Sequence, residues 1–378
     1  MPISNKYFIK LLDKNGINFF TGVPDSLLKG FCSCIDENLP SESNIVAANE
    51  GNALAIAAGY YLSTGKIPLV YMQNSGFGNA VNPLLSLCDS EVYSIPSILL
   101  IGWRGEPGIV DEPQHVKQGM IQLSLLEAMK IPYKIISKNE KELDEKVKWC
   151  ITNSLKESKP YAILVKKGTF NNYKTNTTLF DKGEQTREES LIIILDSLPK
   201  DTIVVSTTGK TSREIFELRE QRGEQHSNDF LTVGSMGHCS SIALGVALQK
   251  PKMKVVCIDG DGSLLMHLGA ISTISRYKPQ NFYYLLLNNF VHESVGGQKT
   301  AAENLSFPDM LKSMGFLKIY SESEAVKLKL VLKEIFDSKG PNFLEVIIKE
   351  GSRKNLGRPD VKPKKSKEAF MEFVLNNN

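Results

Sequence analysis

Short apolar runs alternate along this chain with stretches of helical spacing, and the order of elements recurs in two halves. In the first half the apolar Ile17–Phe20 leads into Thr21-Gly22-Val23-Pro24-Asp25 and a predicted helix over Ser26–Phe31. In the second, Ile203–Val205 leads into Ser206-Thr207-Thr208-Gly209 and a predicted helix over Ser212–Arg219. An Ala- and Gly-rich helix follows in each, Asn52–Leu62 and Ser240–Leu248. Next comes a strand, Leu69–Met72 or Val255–Ile258, that runs into a Gly-x-Gly turn, Gly76-Phe77-Gly78 or Gly260-Asp261-Gly262. Apolar strands at Ile98–Gly102 and Phe282–Leu287 come after these, and each half closes on a Pro-led strand, Pro160–Lys166 or Pro341–Lys349. Continuous Val/Ile/Leu runs between helices predict parallel strands covered on both faces, hence two doubly wound α/β domains. The polar gap Asn171–Thr186 sets the expected boundaries: a domain at 1–170, a linker at 171–186 and a second domain at 187–378.

Composition narrows the classes. With 45 basic against 42 acidic residues among 378, the net charge of +3 argues against bulk-charge binding of nucleic acid. A hydrophobic content of 42% with 23% charged residues is that of a globular chain, too apolar for disorder. No apolar run is long enough to span a membrane. Met1–Gly16 mixes Lys, Asp and Asn into its apolar residues and lacks the core of a secretory signal, so a cytoplasmic protein is expected. The scattered Cys32, Cys34, Cys88, Cys150, Cys239 and Cys257 read as reduced core residues, and the Cys32-x-Cys34 spacing is too short for paired metal ligands. The segment Ser352–Lys367 sets seven basic residues against Asp360 and reads as a solvated surface.

The strongest chemical motif is Cys257-Ile258-Asp259-Gly260-Asp261-Gly262-Ser263. A strand ends, glycines turn and a helix begins, which is the recipe for a phosphate site on free backbone N–H groups. Asp261 would repel a phosphate directly; it makes sense with a divalent cation between the two. A second predicted strand end, Leu287-Asn288-Asn289, follows 25 residues after Gly262 and offers an amide oxygen to the same site. Mg²⁺ takes such oxygen donors together with phosphate oxygens and water.

Gly-Asp-Gly followed at this distance by Asn-Asn resembles the signature of the thiamine-diphosphate-dependent 2-oxo acid decarboxylases. The resemblance spans essentially the whole chain. It implies a pyrimidine-binding domain first and a diphosphate-binding domain second, without the middle domain of the larger family members. It implies Mg²⁺ held by Asp261, Asn289 and the Val291 carbonyl, although Phe290 stands where many members have Gly. Glu50, in Asn49-Glu50-Gly51-Asn52, matches the carboxylate that activates the aminopyrimidine; on its own it reads as a helix-start acid. Gly234-Ser235-Met236-Gly237 matches the segment that bends the cofactor, with Met236 as wedge and the Gly234 carbonyl as amine acceptor. Without that context Met236 reads as core. Thr208, Gly209, Gly260, Gly262 and Ser263 fall on the diphosphate side. A homo-oligomer with active sites between subunits is also implied.

Longer stretches are similar to the branch of this family that decarboxylates phosphonopyruvate. They are Gly22–Ser26, Gly102–Gly108, Asp111–Gly119, Thr208–Glu214 and His292–Gln298. The implied reaction turns 3-phosphonopyruvate into phosphonoacetaldehyde and CO₂, a step of phosphonate biosynthesis. Asp25 and His115, with His292 as a weaker third, fall where related enzymes place proton-transfer groups. A small anionic 2-oxo acid needs cations, and Arg104, Lys117, Lys210 and Arg213 lie in the matched segments, though each also reads as a surface charge. Sulfopyruvate decarboxylation is the nearest alternative, followed by a carboligase. Glu50 weighs against a non-catalytic binding module. The incomplete glycine pattern at Gly76 weighs against a dinucleotide-binding dehydrogenase.

Overall fold

The computed structural model describes residues 1–139, 141–173 and 182–377. It divides into two compact units, Met1–Thr177 with Ser294–Gln298, and Thr178–Glu293 with Lys299–Asn378. Residues 174–181 of the expected linker lie outside the described residues. Within that linker Thr186 caps the helix Arg187–Ser197: its side chain accepts from the Glu189 N–H, and the Glu189 carboxylate accepts from the Thr186 N–H.

The first unit holds β1 (Phe20–Gly22), β2 (Asn44–Val46), β3 (Leu69–Gln73), β4 (Ile98–Gly102), β5 (Tyr133–Ile136) and β6 (Tyr161–Val165). The second holds β7 (Ile203–Ser206), β8 (Asp229–Leu231), β9 (Val255–Gly260), β10 (Phe282–Asn288), β11 (Ile319–Glu322) and β12 (Asn342–Ile347). The sheets run β2-β1-β3-β4-β6-β5 and β11-β12-β10-β9-β7-β8. Counted within its own unit, the second order reversed is the first, so the repeat seen in the sequence is a repeat of topology. The paired strands are parallel.

Helices cover both faces of each sheet, which is why the central strands are mostly apolar, with polar residues such as Gln73, Asp259 and Asn288 at or near their carboxyl ends. Alternation splits β3 and β4 between two cores. Tyr71 and Leu100 pack on one side with Phe20, Phe31 and Ile163. Val70, Met72, Leu99 and Ile101 pack on the other with Ala53, Ala57 and Leu164. In the second unit Val205, Cys257, Tyr284 and Leu286 face one core, and Val204, Val256, Ile258 and Leu285 the other. All six cysteines are buried and free. Among the described residues no helix is long and apolar enough to cross a membrane.

Three local expectations shift. The strand expected at Ile17–Phe20 lies at Phe20–Gly22, where it pairs with β2 and β3. The helix expected from Ser26 begins at Lys29, with no side-chain cap at Leu28. The second Gly-x-Gly position of the first unit, Gly78, lies inside a helix, Phe77–Pro83, reached through a 3₁₀ turn at Asn74–Gly76.

Candidate active site

In both units the chemistry-bearing residues gather beyond the carboxyl ends of the central strands, where open α/β sheets place their ligands. In the first unit, Asn49 caps the helix Glu50–Thr64 by accepting from the Asn52 N–H at 2.9 Å, which puts Glu50 at its first turn. Glu50 is buried, and the Asn79 amide donates to its Oε2 at 2.8 Å. The other carboxylate oxygen lies where Gly76 would carry a side chain: a Cβ there would sit 1.8 Å from Oε1. Burial pushes the Glu50 carboxyl above its ordinary value, and the Asn79 bond pulls it partly back.

Asp25 follows β1 and is fully buried. Gln73, at the end of β3, donates to its Oδ1 at 2.5 Å, and Ser75 fixes Gln73 by donating to its Oε1 at 2.5 Å. The second carboxylate oxygen, Oδ2, lies against Gly102 and has no protein hydrogen-bond partner. Burial raises the Asp25 pKa, with Gln73 and Arg104 opposing. Arg104 donates through Nε to Asp111 at 2.7 Å, through Nη2 to the same carboxylate, and through Nη1 to Ser26 at 2.9 Å. His115 sits near that pair; its burial, then the Arg104 charge, lower its pKa and favour the neutral ring, whose Nδ1 has no protein partner. Gly105 and Gly119 let the Arg104–Gly105 turn press on the helix Pro113–Ala128 that carries His115. Asp25, Arg104 and His115 therefore belong to one neighbourhood, whereas Lys117 is exposed on that helix.

In the second unit, register pairs Leu287 with Gly260, so Asp261 and Asn289 emerge from neighbouring strand ends. Asp261 is buried and accepts from the Thr300 hydroxyl at 2.5 Å; with only that partner and backbone N–H groups, burial pushes its pKa up to about 7. Asn289 Oδ1 accepts from the Val291 N–H at 3.2 Å, folding the turn back on itself. Phe290 adopts the left-handed conformation that favours glycine: its φ is 63°. That left-handed conformation costs an L-residue about 1–2 kcal/mol, and burial of the ring among Phe307, Leu286 and Ala302 offsets it.

Gly209, with φ of 97°, opens the helix Lys210–Gln221, whose first N–H groups have no side-chain cap. The Gly234 N–H donates to Thr208 Oγ1 at 2.7 Å, so the Met236 loop is tied to the Gly209 turn. Ser263 Oγ accepts from Thr207 Oγ1 and from the Gly237 N–H, both at 3.0 Å, joining that loop to the Gly-Asp-Gly turn. His292 packs against Gly262, and desolvation of its ring holds its pKa down at about 4. Two expected substrate cations are engaged elsewhere: Lys210 binds Glu293 at 2.5 Å, and Arg213 donates to the carbonyls of Leu356 and Gly357. Thr300, Gln73, Asn79 and Glu293 join these clusters without having been singled out in the sequence. Gln73, a polar residue ending an apolar strand, carried a readable signal; Thr300 carried none.

Residues 4–126 match the family "Thiamine pyrophosphate enzyme, N-terminal TPP binding domain", and 207–346 its C-terminal TPP binding domain. Over 374 residues the chain is 34% identical to the phosphonopyruvate decarboxylase of Streptomyces viridochromogenes, covering 95% of this chain and 92% of that protein. The chain belongs to the thiamine-pyrophosphate-dependent decarboxylases. It is also 32% identical to the phosphonopyruvate decarboxylase of Streptomyces hygroscopicus, over 95% of this chain and 91% of that one. To the sulfopyruvate decarboxylase of Methanosarcina acetivorans it is 29% identical, over 97% of this chain and 95% of that protein. It is a carboxy-lyase of 2-oxo acids. This decarboxylase has residues that fit the cofactor: a buried carboxylate in the first unit, and in the second the uncapped N–H groups at Lys210 beside a turn where a Cβ on Gly209 would meet no protein atom within 4 Å.

Proposed function

We propose that this decarboxylase acts on 3-phosphonopyruvate, breaking its C1–C2 bond to give CO₂ and phosphonoacetaldehyde, and that it uses Mg²⁺ together with thiamine diphosphate. The similarity to two phosphonopyruvate decarboxylases over 95% of the chain carries this reading. Its similarity over 97% of the chain to a sulfopyruvate decarboxylase supports a second one, in which the substrate bears a sulfonate instead.

Bound thiamine diphosphate supplies the electron sink that a 2-oxo acid lacks. Glu50 would exchange a proton with the aminopyrimidine, and burial, which raises its pKa, favours the protonated carboxyl. The Gly234 carbonyl would accept from the cofactor's amine, and the Met236 side chain would support the cofactor's conformation. Gly260, Gly262, Thr208, Gly209 and Ser263 line the diphosphate side. Asp261, Asn289 and the Val291 carbonyl would hold the metal. The fit rests on Asp261, a buried carboxylate with no described cation against it, and on the left-handed Phe290 that folds the Asn289–Val291 turn. Asp25 delivers from Oδ2 the proton taken up for each CO₂ lost, and neutral His115 shuttles it. Arg104, beside Asp25, offers the phosphonate its remaining N–H groups, and Lys117 adds a positive charge from the exposed face of the helix Pro113–Ala128. The enzyme works as a homo-oligomer in which complementary units come from different copies.

The test is aldehyde and CO₂ formation from phosphonopyruvate, sulfopyruvate and pyruvate, with thiamine diphosphate and Mg²⁺ added. The expected kcat/KM order is phosphonopyruvate, then sulfopyruvate, with pyruvate lower by about four orders of magnitude, since a site built on polar contacts rejects the analogue lacking them. A higher kcat/KM for sulfopyruvate would replace the first reading with the second.

A further inference from the structure

We propose that Glu293 is a positioning residue for the metal end of the site, orienting the Asn289 amide while it anchors Lys210 at the start of the phosphate-side helix. The inference rests on reading Asp261 and Asn289 as metal ligands.

Three donors converge on one largely buried carboxylate. Arg187 Nη1 reaches Glu293 Oε2 at 2.8 Å, Asn289 Nδ2 reaches the same oxygen at 3.0 Å, and Lys210 Nζ reaches Oε1 at 2.5 Å. The Glu293 side chain is 9% exposed. Arg187 does not depend on Glu293 alone, because its Nε and Nη2 form a bidentate pair with Glu214, at 2.7 and 2.9 Å. The four charges cancel pairwise, so Glu293 sits where it is held without a net buried charge.

The consequence concerns the two ends of an amide. Only the oxygen of Asn289 can ligate a cation, and the side chain flips about its terminal bond unless one end is committed. Placing Oδ1 against the Glu293 carboxylate would set two acceptors face to face. The Nδ2 bond therefore commits the nitrogen to Glu293 and turns Oδ1 to the other side, where it already receives the Val291 N–H. Lys210 is tied to the same carboxylate from the first turn of the helix that follows Gly209. One side chain thus joins the metal-binding turn to the phosphate-binding turn. Outer partners of this kind change metal affinity by about tenfold to a hundredfold when removed.

Mn²⁺ binding, followed by electron paramagnetic resonance at saturating thiamine diphosphate, reads this without turnover. Glu293→Gln keeps size and leaves Arg187 with Glu214, but its amide no longer enforces the Asn289 orientation. It should weaken Mn²⁺ by about tenfold to a hundredfold, and because Lys210 loses its partner carboxylate it should also lower the urea midpoint of the cofactor-free protein. Glu293→Asp preserves the charge but withdraws the carboxylate by one methylene, and should also weaken Mn²⁺, which keeps the test open if the Gln variant folds poorly. Asp261→Asn is the reference for loss of the metal. Native Mn²⁺ affinity in both Glu293 variants, with affinity lost in Asp261→Asn, overturns the inference and leaves the metal reading standing. Native affinity in Asp261→Asn overturns the metal reading itself.

Discussion

The two units share one strand order, yet their glycines serve opposite purposes. After β3 in the first unit, a Cβ on Gly76 would collide with the Glu50 carboxylate, and at the end of β4 one on Gly102 would collide with Asp25 at 1.8 Å from Oδ2. These glycines are small so that the protein's own acids fit. After β9 in the second unit, a Cβ on Gly260 would meet only the Leu287 carbonyl, at 4.0 Å, and one on Gly209 would meet nothing. There the missing side chain leaves the backbone accessible from outside the protein. The same turn in the same topological place thus buries an acid in one unit and presents a backbone in the other. Fold alone does not distinguish the two.

The comparison can be broken by separating the halves. If the first unit supplies the activating acid and the second grips metal and diphosphate, Glu50→Gln and Asp261→Ala subunits are each nearly inactive. Mixed and allowed to exchange, they should recover a substantial part of wild-type turnover, because some sites regain both intact units. No recovery after demonstrated subunit exchange would place both halves of each site within one copy.

Single methyl groups sharpen the contrast. Gly76→Ala forces Glu50 or its helix to move, so it should lose about 1–3 kcal/mol of stability and most turnover. Gly260→Ala meets no comparable clash and has an ordinary φ of −113°, so cofactor-free stability should stay within about 0.5 kcal/mol while cofactor affinity falls. Urea melts and calorimetric titrations of both variants measure this; equal stability losses would erase the distinction.

The smallest expected effect is on pH dependence. Burial raises the carboxyls of Asp25, Glu50 and Asp261, the last to about 7. A carboxyl with a higher pKa folded than unfolded binds more protons when folded. Its contribution is therefore full below about pH 4, the unfolded value, and is lost as pH rises toward the folded value. From about pH 4 to 7 these carboxyls lower the stability of the cofactor-free protein while the depressed His115, His267 and His292 raise it. Asp25 is therefore isolated by comparison: the stability of the wild type relative to Asp25→Asn should fall as pH rises. An unchanged slope in the urea midpoint would show that Asp25 titrates normally.

Much of this was legible in the sequence because central strands are apolar on both faces. The eight strands read from continuous runs are the inner ones. The four left unread, at 44–46, 133–136, 229–231 and 319–322, are the sheet edges, only three or four residues long and partly exposed. Motif residues such as Glu50, Asp261 and Asn289 were visible because chemistry fixes their type and spacing. Their supporting partners were not: Thr300 reaches Asp261 across 39 positions and Asn79 reaches Glu50 across 29, and no local pattern marks such pairs. The same gap explains Lys210 and Arg213, whose charges looked available until Glu293 and the Leu356–Gly357 carbonyls were seen to hold them.

Cofactor affinity and turnover measured on the same Glu50→Gln preparation test the division of labour most directly. The account predicts thiamine diphosphate bound with Mg²⁺ at nearly wild-type affinity, and turnover reduced by about two to four orders of magnitude, the usual worth of a positioned acid or base. Near-native turnover at saturating cofactor would contradict it, since the buried carboxylate of the first unit would then have no part in the chemistry.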